Sequence, residues 1–279
     1  MRNLPLAMAV FYAAIVLLPS TPVAAQESIE FNADSMARDA RLLELDLRTE
    51  GQRLMSSGMY GAAIDYFSEQ LERDPKDVNA LMGLGTACNA IGVPERAIPV
   101  FEKALNVVGD NPKWQGPIHS GLAIASHNAG LRGRAIVEWT TALQYCPDQP
   151  SYEFYLCVSL AAVDDWQTCL SRTKSLIDKI NAGSYDARSK EILPLAEAIY
   201  GSAVSHVKGI DSGAKTLVSA CEKHPGCKEL CIAVVATIGE LESPTEDELR
   251  VAIKAAKHLR DSKAQIPDYA QSAFDTLLK

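Results

Sequence analysis

The residues best placed to do chemistry are Cys221, His224, Cys227 and Cys231, a C-x2-H-x2-C-x3-C string across the turn His224-Pro225-Gly226. Thiolates and an imidazole at such short spacing suit a tetrahedral zinc site. Two thiols facing across a turn suit a disulfide, the form an oxidising compartment favours. Cysteine in this setting also serves as a small buried hydrophobe. The spacing matches no standard zinc string, and neither C-x-x-C nor C-x-x-C-H occurs, so a thioredoxin-like dithiol and a c-type haem are excluded. A disulfide involving Cys221 is the leading expectation. A thiol or metal module around Cys221 to Cys231 stands as an alternative function. The chain has seven cysteines, so at least one lies outside any intramolecular pair.

Elsewhere the sequence gives catalysis little support. The five histidines are scattered, and no G-x-S-x-G or H-E-x-x-H string is present. The acidic groups Asp164-Asp165, Glu240 with Glu242, and Glu246-Asp247-Glu248 fall at turns or helix starts, where acids complement the helix dipole. Gly83-Leu84-Gly85 and Gly130-Leu131-Arg132-Gly133 share only glycine with nucleotide loops, because no strand leads into them. No catalytic residue, metal or cofactor is expected.

The elements that must position these residues follow from an internal recurrence. Gly51, Gly58, Tyr60, Ala63, Phe67, Leu71 and Pro75 are echoed by Leu84, Gly85, Gly92, Ala97, Phe101, Ala104 and Leu105. Leu122, Ala123, Gly130, Ala135, Trp139, Ala142, Leu143 and Pro147 repeat the set. The matched alanines lie close to the period of about 34 residues of a helix-turn-helix repeat, the second interval being longer by residues placed at Gly109 to Trp114. Small residues mark where two antiparallel helices cross, pairing Gly85 with Ala97 and Ala123 with Ala135. Phe67, Phe101 and Trp139 then fill the space between hairpins, and Gly58, Gly92 and Gly130 end the first helices in the left-handed conformation. Such hairpins bury their apolar faces only by stacking, so an all-α solenoid follows.

These residues resemble the tetratricopeptide repeat family over Glu44 to Pro147, with decayed units over Pro150 to Ile180 and Leu195 to Gly226. Departures are Glu50, Gln70, Pro94 and Thr173, and the fifth unit keeps Gly209, Ala214, Val218 and Pro225 without an aromatic anchor. If the fourth unit keeps register, Cys157 and Cys169 occupy its two small positions and form a candidate disulfide pair, or simply replace the alanines of other units. Cys88 is expected buried on a first helix. The resemblance implies a concave groove, lined by first helices, that holds an extended peptide or a partner's helix. Its candidates are Arg48, Gln52, Met55, Met82, Thr86, Asn89, Ser120, Ile124, His127 and Asn128. Gly83, Pro117 and Gly121 stand where family members that grip acidic chaperone tails carry a basic clamp, which excludes that partner.

Arg2, the apolar run Leu4 to Leu18 and Val23-Ala24-Ala25 read as a secretory signal cut after Ala25. The run is shorter than the roughly 20 residues of a spanning helix. Cleavage would change the net charge from −8 to −9, unfavourable for nucleic acid or an anionic membrane. The expected organisation is a signal peptide at 1–25, a helical lead-in at 26–43, the repeat array at 44–180, and a degenerate repeat plus helical carboxy-terminal cap at 181–279. Helices are expected near Pro117 to Ala129, Ala187 to Val207 and Pro244 to Ser262 among others, the last opened by a Ser243 cap, and Asn181 to Asp186 is the internal boundary. The functional expectation is a non-catalytic scaffold or adaptor for a protein or peptide partner in a periplasmic or extracellular assembly. Self-association through Leu45, Met55 or Ala270 to Leu278 is a further alternative.

Overall fold

A computed structural model describes residues 50–278. The signal segment, the lead-in, Leu45 and Arg48 lie outside the described residues. Two compact units are present, residues 50–152 and 153–278. Among the described residues there are thirteen α-helices and one 3-10 helix.

The first unit opens with α1 (Glu50–Ser56) and α2 (Tyr60–Arg73), then α3 (Val78–Ala90) and α4 (Pro94–Val108), then α5 (Pro112–Asn128) and α6 (Arg132–Tyr145). Each pair turns on a glycine with positive φ, +70° at Gly58 and Gly92 and +74° at Gly130. The same two bonds close each turn: Gly92 N–H donates to Asn89 O and Val93 N–H to Cys88 O, as Gly130 does to His127 O and Leu131 to Ser126 O. This is the Schellman closure, which satisfies carbonyls a helix end otherwise leaves bare.

The aromatic wedges sit between hairpins as the recurrence predicts. A Cβ placed on Gly51 or on Gly83 would meet the Phe67 ring at 2.5 Å or less. One on Gly85 or Gly121 would meet the Phe101 ring at 2.6 Å or less. The glycines therefore clear room for a ring. Trp139 instead tilts against Tyr152, with ring centroids 5.6 Å apart. Ala63 to Ala97 is 34 residues and Ala97 to Ala135 is 38. The difference is about one helical turn, and it extends α5 at its amino end to Pro112 rather than Pro117. Asn111 caps that start by accepting from Lys113 N–H, and Gln115 Nε2 donates to Gly109 O.

α7 (Pro150–Ala161) leads into α8 (Trp166–Asn181). In the turn, Asp164 takes the glycine's place with φ +61°, and its side chain accepts from Trp166 Nε1 at 3.1 Å. Thr173, fully buried where an aromatic was expected, donates its hydroxyl to Cys169 O at 2.7 Å. Cys157 and Cys169 do approach, but Cys169 Sγ faces the Cys157 carbonyl at 3.5 Å, and neither is in a disulfide.

The helix expected over Ala187 to Val207 is divided into a 3-10 turn (Ala187–Glu191), capped by Asp186, and α9 (Leu193–Lys208). Pro194 explains the break, because its ring excludes the carbonyl four residues earlier and it has no N–H to give. α9 packs on both α8 and α10 (Ile210–Lys223), so Asn181 to Asp186 is a connection inside this unit. Leu217 serves in place of the missing aromatic: it is fully buried, and a Cβ on Gly201 would meet it at 2.5 Å. A sixth pair follows, α11 (Lys228–Gly239) and α12 (Glu246–Asp261), with α13 (Asp268–Leu277) laid on α11. Thr245 rather than Ser243 caps α12, in a capping box with Glu248. The final helix packs one face on α11: Ala270 is buried, and Ala273 sits where a side chain on Gly239 would be.

Candidate functional site: the first-helix face and the thiol cluster

The first-helix candidates of the first unit divide sharply by burial. Gln52 and Met55 on α1, Thr86 on α3, and His127 and Asn128 on α5 are half-buried and retain surface. Met82, Asn89, Ser120 and Ile124 are buried, which overturns their reading as an exposed lining. Asn89 is held by the next hairpin and Ser120 by its own helix. Asn89 Nδ2 donates to Gly121 O on α5 at 3.0 Å, across the glycine that receives Phe101. Ser120 donates to Pro117 O at 2.8 Å. The oxygens Gln52 Oε1 and Asn89 Oδ1 have no donor among the described residues. Burial, helped by the Arg132 guanidinium, pushes the His127 imidazole down to about 4.

A second polar cluster, absent from the sequence expectations, joins α4, α5 and α6. His119 Nδ1 lies 2.6 Å from Glu138 Oε2 and its Nε2 lies 3.0 Å from Gln115 Oε1. Arg134 reaches both Glu138 Oε1 at 3.3 Å and Glu102 Oε1 at 2.7 Å. Burial pushes the Glu138 carboxyl up, but His119 and Arg134 outweigh it and hold it below its ordinary value. The spacings of four between Arg134 and Glu138 and between Gln115 and His119 are the traces of this cluster in sequence; the contacts of Glu138 to His119 and of Arg134 to Glu102 join different helices. The cluster acts as a clamp between layers.

In the second unit the four residues of the thiol string do not converge. Cys221, in the last turn of α10, and Cys231, one turn into α11, bring their sulfurs to 3.9 Å. His224 turns to α9 instead, its Nε2 3.2 Å from Glu197 Oε2. Cys227 donates to Glu229 Oε2 at 3.5 Å, and burial followed by the Glu229 charge pushes its thiol up to about 12. Among the described residues no group of three or more His, Cys, Asp or Glu side chains could hold a metal. The turn at His224-Pro225-Gly226 sends the imidazole and the middle thiol in different directions, so the four side chains do not form one ligand set in this arrangement. A cleft of about 310 Å³ between α8, α9 and α10 has Lys174, Asp178, Glu197 and Lys223 on its walls. Its charges are largely paired internally, Lys174 with Asp178 at 3.1 Å and Lys223 with Glu197 at 3.7 Å.

The hairpin period, the left-handed glycine turns and the aromatic wedges coincide with a match of residues 54–116 to the Tetratricopeptide repeat family model. Residues 54–116 are tetratricopeptide repeats by that match. Among solved structures the repeats are similar to those of MamA, at 19% identity over 63% of this chain and 95% of that one, with a TM-score of 0.53. They are also similar to YrrB, a tetratricopeptide repeat protein described as having an unusual peptide-binding site, at 16% identity over 75% and 97% with a TM-score of 0.52. A tetratricopeptide repeat protein from Parabacteroides merdae gives 12% identity over 88% and 100%, with a TM-score of 0.53. At these identities the likeness is one of fold. No curated protein matches the sequence. No helix among the described residues is long and apolar enough to cross a membrane.

Proposed function

We propose that this tetratricopeptide repeat chain is a non-catalytic scaffold or adaptor that receives a peptide or partner helix on the first-helix face of its first unit, within a cell-envelope or secreted assembly. The observation that carries the reading is the row of half-buried Gln52, Met55, Thr86, His127 and Asn128 on successive first helices. Amide and hydroxyl side chains can bond a peptide backbone, and methionine adapts to varied apolar side chains. Arg48 extends the row on the amino-terminal side in sequence. The export signal at residues 1–25 supplies the envelope part of the proposal.

Substitutions at Met82 or Asn89 would disturb the core, so the test uses positions that keep surface. A photo-reactive residue is placed at Thr86 or at His127, and separately at Val137, an exposed position on the second helix α6. The full chain is irradiated in its native envelope fraction. A protein captured from Thr86 and His127 and lost from Val137 supports the reading. Capture from Val137 alone moves the interface to the second-helix face and defeats it.

A further inference from the structure

We propose that Cys221 and Cys231 are the site of an intramolecular disulfide, made by thiol–disulfide exchange with a disulfide-bearing oxidant, that staples α10 to α11. The sulfurs are already in contact at 3.9 Å. Closing to the bonded separation of about 2 Å moves them together by roughly 2 Å. Both thiols face each other inside the core that Leu217, Leu230, Val234 and Val251 build around them. The bond would close a short loop across His224-Pro225-Gly226, tying the end of one helix to the start of the next.

The other cysteines are less well placed. Cys227 lies between the two in sequence, yet it donates to Glu229 and burial raises its thiol, which keeps it from the thiolate form that exchange needs. Cys157 and Cys169 meet sulfur to carbonyl, and burial pushes the Cys169 thiol up to about 12. In contrast, the sulfur contact holds the Cys221 thiol down, aided by Lys254, while the same contact and burial hold the Cys231 thiol up, so Cys221 is the first to lose its proton and Cys231 reacts only as the resolving thiol.

Exposure sets the order of events. Cys221 is 4% exposed and Cys231 fully buried, so Cys221 meets the oxidant. Its thiolate attacks one sulfur of the oxidant disulfide; that S–S bond breaks and the other sulfur leaves as a thiolate, which takes up a proton. Cys231, losing its proton, then attacks Cys221 Sγ in the mixed disulfide and expels the second oxidant sulfur. Two protein thiols become one disulfide, and the oxidant disulfide becomes two thiols. The reading is independent of the groove and survives or fails separately from it.

The test equilibrates the full chain across buffers of varied reduced and oxidised glutathione, both as native protein and as protein refolded in the same buffers. Samples are acid-quenched, alkylated and digested without reductant. Trypsin places the three cysteines in separate peptides, 216–223, 224–228 and 229–250. The expected product joins 216–223 to 229–250, with 224–228 alkylated, and oxidation raises the melting temperature by roughly 5 °C or more. A Cys231→Ala chain should lose both the product and the shift. A cross-link that includes 224–228, or alkylation of all three peptides at the oxidising end in both sample sets, overturns the proposal.

Discussion

At the scale of single residues, the strongest constraint on this chain is the fit of Phe67 and of Phe101, each between two glycines. Phe101 is fully buried, with Gly85 on its own hairpin and Gly121 on the next, each leaving no room for a methyl group. Gly85→Ala should therefore destabilise the first unit by about 1–3 kcal/mol through overpacking, and Phe101→Ala by about 3–5 kcal/mol through the cavity it leaves. The two defects oppose each other in volume. Combining Gly85→Ala with Phe101→Leu should cost less than the sum of the singles, read from denaturant midpoints. A second prediction concerns His127, whose folded value of about 4 lies below the ordinary 6.5. The unfolded chain then binds the proton first on acidification. Stability from this group is complete above pH 6.5, is lost as pH falls toward 4, and changes no further below that. With the ring half-buried the loss should be about 1–2 kcal/mol. His127→Gln should flatten that part of the melting profile; an unchanged profile would contradict it. The ring wedges were legible in sequence because Phe67, Phe101 and Trp139 each follow a small residue, Gly51, Gly85 and Ala123, by 16 positions; the second glycine follows Phe67 by 16 and Phe101 by 20. The burial of Met82, Asn89 and Ile124 was not, because it depends on how closely the following layer approaches, and that closeness comes from Gly83 and Gly121.

At the scale of elements, turns decide where helices end. The turns inside the first three hairpins use glycine at positive φ, and the turn inside the fourth uses Asp164 at φ +61° with the same pair of backbone bonds, Asp164 N–H to Ala161 O and Asp165 N–H to Leu160 O. Aspartate tolerates this conformation better than most residues, and its carboxylate also holds Trp166 Nε1. Asp164→Ala keeps the strain and removes the bond, and should cost about 1–2 kcal/mol. Asp164→Gly removes both and should lie within about 1 kcal/mol of wild type. Thermal melts of the two variants check the order. At the start of α12, Thr245 accepts from Glu248 N–H at 3.3 Å while Glu248 Oε2 accepts from Thr245 N–H at 2.7 Å. Thr245→Ala should cost about 1 kcal/mol, whereas Ser243→Ala should be near neutral. Ser243 and Thr245 each have a glutamate three residues ahead, Glu246 and Glu248, so the sequence pattern that pointed to Ser243 does not separate them; the structure starts the helix at Glu246 and closes the box between Thr245 and Glu248. The fifth and sixth hairpins were harder to see for a related reason. Leu217 against Gly201 fills the wedge one position away from the place where the aromatic of other units stands.

At the scale of the whole molecule, the export proposal ties together charge, processing and thiol state. Residues 1–25 contain one basic residue, Arg2, and no acid, so cleavage after Ala25 leaves a mature chain of net charge −9 that begins at Gln26. Such a chain should bind an anion exchanger at neutral pH and should not bind single-stranded DNA at physiological salt, where a partner must neutralise phosphates with cations. The compartment should also be written in the cysteines. An exported copy matures in an oxidising environment, where a buried pair already in sulfur contact is expected to be bonded, while a copy expressed without residues 1–25 in a reducing cytosol keeps both thiols. Purifying the two forms from one bacterial host under rapid alkylation separates these claims. The exported form should yield an amino-terminal sequence starting at Gln26 and a Cys221–Cys231 cross-link, and the cytosolic form should yield alkylated Cys221 and Cys231. A full-length product that retains Met1 would refute export while leaving the glutathione titration to judge the disulfide. A Gln26 terminus with both thiols alkylated would keep export and reject the staple.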